Sequence, residues 1–199
     1  MVIGLNLCPW ATRDSSKGFK LLETDDADDG LDTIALEAAN LASRAHATKV
    51  WPTTLLVFND PALDDIKCFA TLCRRAKRRI DRTSEEPVAL LGFHPARIDS
   101  GPGCNDRDVS DAGHYSVRSP FPLLQVLREV DLERAREQWA AQARSGGRGE
   151  ALLLTGAGDA PVEEAALPGA LGLLLENKRT LRRVGSRRLG EMLRLLRSV

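Results

Sequence analysis

The chain has 199 residues, 43% of them hydrophobic, enough for one ordinary domain with a packed core. Lys+Arg and Asp+Glu both number 28, so the formal net charge is +0 and no global field points to nucleic acid or to an anionic membrane. No apolar run reaches the length of a membrane span, and the start lacks the basic and apolar regions of a secretory signal.

Residues Ile3 to Trp10 are apolar but interrupted by Gly4 and Pro9, which reads as a helix end followed by a tight loop. Cys8 precedes a proline, so its backbone is pushed out of the helical region and its thiol is presented on the loop. The alternative is a small buried hydrophobe. Cys8, Cys68, Cys73 and Cys104 show no Cys-x-x-Cys spacing. Free thiols in a reducing, cytoplasmic compartment are expected, with no metal and no cofactor. An organelle address stays open, because Val2-Ile3-Gly4-Leu5 reads like the middle of an element with an upstream part missing.

Residues 18 to 24 read as a short strand. After an acidic loop over 25 to 30, Leu31, Ile34, Ala38, Leu41, Ala42 and Ala45 step by three and four as an amphipathic helix. Thr53 to Phe58 is a second strand, with the strongest β signal in the chain. Asn59-Asp60-Pro61 caps a helix that runs to about Arg82, with Ile66, Phe69, Cys73, Ala76 and Ile80 as its apolar stripe. Arg74, Arg75, Lys77, Arg78, Arg79 and Arg82 cluster on that helix. No aromatic residue interleaves them, so a solvated face is favoured over a nucleic-acid surface.

Pro87 to Pro95 is a charge-free run closed by proline at each end, the pattern of a buried strand in a parallel sheet. His94 falls at the edge beyond which ligands sit in open α/β sheets, and it centres the candidate site. The polar loop from Ala96 to Val117 follows, with Cys104 and His114 expected to be exposed. Ser119 is a fitting N-cap and Pro120 a fitting first residue for a helix through Leu123 to Glu129. The free N–H groups of that helix start, with the planar donors of Arg118, would attract phosphate or carboxylate. The alternative is that Arg118 pairs with a structural carboxylate or caps a neighbouring helix.

A charged helix over 132 to 143 carries Trp139, and Glu150 to Thr155 reads as a short strand inside a Gly-, Ala- and Pro-rich stretch. The final helix takes Leu173 to Val184, Gly185 ends or kinks it, and an Arg-rich amphipathic tail reaches Val199.

Four pieces stand in order: Ile3-Gly4-Leu5-Asn6-Leu7-Cys8-Pro9, Phe93-His94-Pro95, Arg118-Ser119-Pro120-Phe121-Pro122 with Leu127-Arg128-Glu129, and Glu176 to Gly185. Together they make the chain resemble a family of small, mostly bacterial proteins catalogued as domain of unknown function 1415. The resemblance covers about residues 2 to 185 apart from 145 to 172. It implies one compact α/β domain and no particular reaction. The chain departs from the family pattern in having Val117 where members usually carry Asn, and Gln125 where they often carry His. The insertion and the basic tail are further departures.

The expected architecture is α/β, with two or three layers around a short, mostly parallel sheet and a C-terminal helical appendage. Residues 1–144 form the core, 145–172 an insertion or linker, and 173–199 a helix packing on the core with a basic tail. One expected function is a Cys/His-dependent enzyme acting on a small anionic substrate. Cys8 is its nucleophile, His94 its base or acid, and Asn6, Arg118 and Ser119 its substrate-binding residues. Cys104 is the candidate resolving thiol in a redox variant. The other is a non-catalytic anion-binding, regulatory or adaptor module, in which Cys8 packs, His94 bonds to backbone, and the basic tail meets a protein partner. A metal site is not expected, because Cys8 and His94 supply two ligands where a closed zinc site wants four.

Overall fold

A computed structural model describes residues 19–44, 52–101, 103, 105–144 and 170–197. Four strands form one sheet in the order β1-β2-β4-β3: β1 (Phe19–Thr24), β2 (Thr53–Phe58), β3 (Val88–Phe93) and β4 (Leu123–Arg128). The helices are α1 (Ala27–Ala42), α2 (Ile66–Thr83), α3 (Glu129–Arg144), α4 (Ala170–Val184) and α5 (Ser186–Arg197).

The α/β class holds, but the mostly parallel sheet does not. β1 and β2 pair in parallel, while β4 pairs antiparallel with both β2 and β3. The strands β1, β2 and β3 do run in one direction. β4 is inserted between β2 and β3 and reverses two of the three pairings. The expectation failed at β4, where the N-cap signal at Ser119-Pro120 gave a helix through Leu123 to Glu129. A short apolar run satisfies a buried strand or a helix equally well, and two strands lacking a partner between them decided the matter. The Phe58 amide already bonds the Pro122 carbonyl at 2.9 Å, one residue before β4 begins.

Side chains alternate across the sheet. Leu56, Phe58, Val88, Leu124 and Val126 meet Leu31, Ile34, Ala38 and Leu41 of α1 and Phe69, Leu72, Ala76 and Ile80 of α2 in the main core. The periodicity that predicted α1 and α2 is therefore the periodicity of their buried stripes. Asp26 caps α1, accepting from the Asp28 and Asp29 amides. Asp65, rather than Asn59 or Asp60, caps α2, and Pro61–Asp64 is a separate 3-10 turn. The basic cluster of α2 is partly an ion-pair seam: Arg75 and Arg79 reach Asp28 and Asp32 of α1, and Lys77 pairs with Asp81 within α2. No helix among the described residues is long and apolar enough to cross a membrane.

The expected strand at Glu150 to Thr155 and the 145–169 stretch lie outside the described residues. α4 begins at Ala170 and closes at Gly185, which adopts φ +84° between α4 and α5. That left-handed geometry favours glycine, as the sequence position implied.

Candidate functional site

β3 and β4 pair antiparallel, with Phe93 opposite Leu123, so the residues just after β3 and just before β4 meet in space. The His94 amide bonds the Val117 carbonyl at 3.3 Å, and the Arg97 amide bonds the His94 carbonyl at 3.1 Å. His94, Arg118 and Ser119 therefore share one neighbourhood. Asn6, Cys8 and Cys104 lie outside the described residues.

His94 is 1% exposed and its ring rests against Phe69, with centroids 5.2 Å apart. Its Nδ1 accepts from the Ala96 amide at 3.0 Å, and its Nε2 lies 2.9 Å from the Leu63 carbonyl oxygen. An amide can only donate and a carbonyl can only accept, so the tautomer that fits carries its proton on Nε2. Both nitrogens are committed to backbone.

Arg118 is engaged in the same way. Its Nε donates to the Arg97 carbonyl at 3.0 Å and its Nη2 to the Val109 carbonyl at 3.1 Å. The guanidinium lies 5.0 Å from the Tyr115 ring centroid, a cation–π contact. It holds both ends of the long loop together. Ser119 is buried and its hydroxyl donates to the Phe121 carbonyl, closing a turn ahead of β4. With β4 in place of a helix, the dipole and free amides expected at Ser119 are not there to receive an anion.

The loop is more ordered than its composition implied. His114 is 0% exposed, not an exposed loop residue. Its Nδ1 accepts from the Asp99 amide at 3.1 Å and its Nε2 donates to the Asp108 carbonyl at 2.9 Å, repeating the His94 arrangement. A 3-10 turn over Ala112–Ser116 places it. Sequence reading missed the loop's charged anchors. Lys178 is 1% exposed, with its Nζ 3.1 Å from Asp99. Burial works to raise the Asp99 carboxyl, but the Gly101 amide, the Lys178 ammonium and the Ser116 hydroxyl outweigh it and hold it below its ordinary range. The Arg182 guanidinium holds Asp111 well below the usual carboxylate range against opposing burial, with the Gly113 and Asn105 amides adding to the effect. The signal was present as Lys178-x-x-x-Arg182, two cations one helical turn apart.

Gln125, at the position where the resembled family often has His, lies on β4 rather than a helix. It donates to the Thr53 hydroxyl at 3.0 Å. In register it stands between Leu55 of β2 and Leu91 of β3, on the sheet face opposite the main core. Cys73 is half-buried on the α2 stripe, where burial pushes its thiol up despite the nearby Arg97 cation, so packing describes it better than reactivity.

Two surface grooves, of about 250 and 230 Å³, flank Glu86, Pro87 and Glu129. Neither is lined by His94, Arg118 or Ser119. Among the described residues, no three His, Cys, Asp or Glu side chains converge as metal ligands would.

Comparison with curated proteins and with solved structures finds no match. A family model described as Protein of unknown function (DUF1415) matches residues 1–149, which include the Ile3-to-Pro9 piece, the His94 strand end and the Arg118-Ser119-Pro120 turn. The long resembling pieces before residue 149 thus reflect shared ancestry, and the chain belongs to the DUF1415 family of proteins of unknown function.

Proposed function

We propose that this protein is a non-catalytic regulatory or adaptor module whose C-terminal helix binds an acidic protein partner. The observation that carries the reading is that both ring nitrogens of His94, the Ser119 hydroxyl, and Nε and Nη2 of Arg118 bond to the chain's own backbone. A general base needs a ring nitrogen free to take a proton, and an anion site needs donors that are not already given. Arg187, Arg188 and Arg194 of α5 are instead exposed, beside Leu195 and Leu196, which are 67% and 51% exposed; Arg187 Nε also pairs with Glu191 and Arg194 Nε with the Gly190 carbonyl, both on the helix surface. Cations next to open apolar surface fit a partner that presents carboxylates and aliphatic side chains together.

Two measurements test this. In the first, Cys8 is alkylated across pH in a variant whose other cysteines are Ser, with and without His94→Asn. Slow, His94-independent alkylation is expected. A fast reaction near neutral pH that falls about tenfold without His94 would restore the enzyme reading. In the second, an amphipathic Glu/Leu peptide is titrated into wild type and into the triple variant Arg187→Glu, Arg188→Glu, Arg194→Glu. Salt-sensitive binding lost in the variant is expected. Equal binding by both proteins would remove α5 as the docking element.

A further inference from the structure

The loop between β3 and β4 has a small core of its own. Ala112, Leu181 and Leu189 are buried together, with Tyr115 and Val184 packed against them. None of these belongs to the main core. Around this cluster the contacts are ionic. Lys178 lies 3.1 Å from Asp99. Four residues on, Arg182 grips Asp111 with both arms of its fork, Nε at 2.9 Å and Nη2 at 2.6 Å, and Nη2 also donates to the Gly103 carbonyl at 2.5 Å. The loop meets α4 closely enough that a Cβ on Gly103, which has φ +76°, would overlap Leu175. On the α5 side the Tyr115 hydroxyl lies 2.9 Å from where a Cβ on Gly190 would stand. The Arg118 guanidinium stacks on the same tyrosine ring.

We propose that α4 and α5 form a releasable clasp over residues 97–118, so that the helix pair and the loop open together as one unit while the four-stranded sheet stays folded. The free energy of a local opening follows the apolar surface that it exposes. Among the described residues the clasp has three buried hydrophobic residues at its centre, where the main core has fourteen. Two ion pairs flank it, Lys178–Asp99, which is buried, and Arg182–Asp111, whose cation is half-exposed and whose attraction weakens with salt. The same two cations of α4 hold the two carboxylates of the loop, so neither side can leave without the other. Opening lays bare Leu181 and Leu189 and frees Tyr115 and Arg118, which makes the clasp a conformational switch. This inference does not depend on the nature of any partner.

Hydrogen exchange of the full chain, read by mass spectrometry, tests it. Peptides covering 97–118 and 177–189 are expected to exchange at one shared rate, at least about tenfold faster than those covering β2 and β4. Arg182→Gln is expected to speed the first group about tenfold and leave the second unchanged, and about 0.5 M NaCl should act in the same direction. Equal protection of clasp and sheet would overturn the proposal, because opening would then be global. Unrelated rates for loop and helix peptides would also overturn it, because the two would not move as a unit. If Arg182→Gln does not fold, the wild-type rates and their salt response decide alone.

Discussion

His94 accepts one backbone hydrogen bond and donates another inside the protein, and its ring packs on Phe69. Replacing it by Ala leaves the Ala96 amide and the Leu63 carbonyl without their partner and opens a gap against Phe69. Each lost buried bond costs roughly 1–2 kcal/mol and the gap adds to that. His94→Ala should therefore lower stability by about 3 kcal/mol, measured by urea unfolding. Gly30, in the first turns of α1, gives a second case in which magnitude decides the sign. Alanine is favoured over glycine in a helix by about 1 kcal/mol. A Cβ at Gly30, however, would overlap the Phe58 ring and sit 3.1 Å from Thr24 Cγ2. Phe58 is buried in the main core and cannot swing away, so overpacking of about 1–3 kcal/mol wins. Gly30→Ala is expected to lower the urea midpoint, not raise it.

At the scale of elements, the junction between β4 and α3 is pinned by a buried ion pair. Arg128 Nε lies 2.6 Å from Asp131 Oδ2, with side chains 2% and 0% exposed, and Arg128 Nη1 donates to the Arg44 carbonyl just beyond α1. Thus one side chain ties the sheet, α3 and the end of α1. Removing only Asp131 strands a charge in the core, at a cost of about 3–5 kcal/mol. Removing both charges avoids that penalty. Asp131→Ala should be strongly destabilising, and the pair Arg128→Met with Asp131→Leu should recover most of the loss in a double-mutant cycle. The ion pairs between α1 and α2 are a contrast: both partners are exposed, so each contributes roughly 0–1 kcal/mol. They neutralise part of the basic face of α2 more than they stabilise the fold.

Considered as a whole, the molecule has two layers of stability that differ in their response to acid. The main core cluster is apolar, and the carboxylates buried around it, Glu37 and Asp131, are held by Lys20 and Arg128. The clasp depends on Asp99, which faces Lys178, Ser116 and the amide of Gly101, and on Asp111, which faces Arg182, the amides of Asn105 and Gly113, and Asp108 close by. The ring of His114 bridges the same loop between Asp99 and Asp108. Both carboxyls titrate lower in the folded protein than their unfolded value of about 4. Their contribution is therefore complete above about pH 4 and is lost as pH falls through the folded values. Acid should loosen the clasp before the sheet. With Trp10, Trp51 and Trp139 replaced by Phe, Tyr115, the single tyrosine, reports that step through its near-ultraviolet signal, which should change at a higher pH than the far-ultraviolet signal of the secondary structure. Coincident transitions would count against two layers.

Elements whose apolar spacing is long and regular were legible without coordinates: α1 and α2, whose stripes face the core, and β2, whose β-branched and aromatic residues fit a pleated surface. So was the Gly185 break, because a positive φ strongly favours glycine. The three motif pieces before residue 149 carried the family, while the fourth, Glu176 to Gly185, lies beyond the matched residues, and proximity of His94 to the Arg118 turn followed once the two lay on neighbouring strand ends. What the residues alone could not decide was β4. Leu123 to Arg128 reads as helix or strand according to its neighbours, and only the gap between β2 and β3 selects. That one choice removed the helix start expected to bind an anion. Nor could the sequence tell whether His94 and Arg118 point their polar atoms at a ligand or at the chain. Backbone carbonyls have no sequence signature, and which of them lie within reach of a ring nitrogen or a guanidinium is set by the path of the loop. The loop-facing cations of α4 showed only as a spacing of one helical turn. Lys178 and Arg182 are ordinary surface residues by type, and the tertiary fold alone brings Asp99 and Asp111 to meet them.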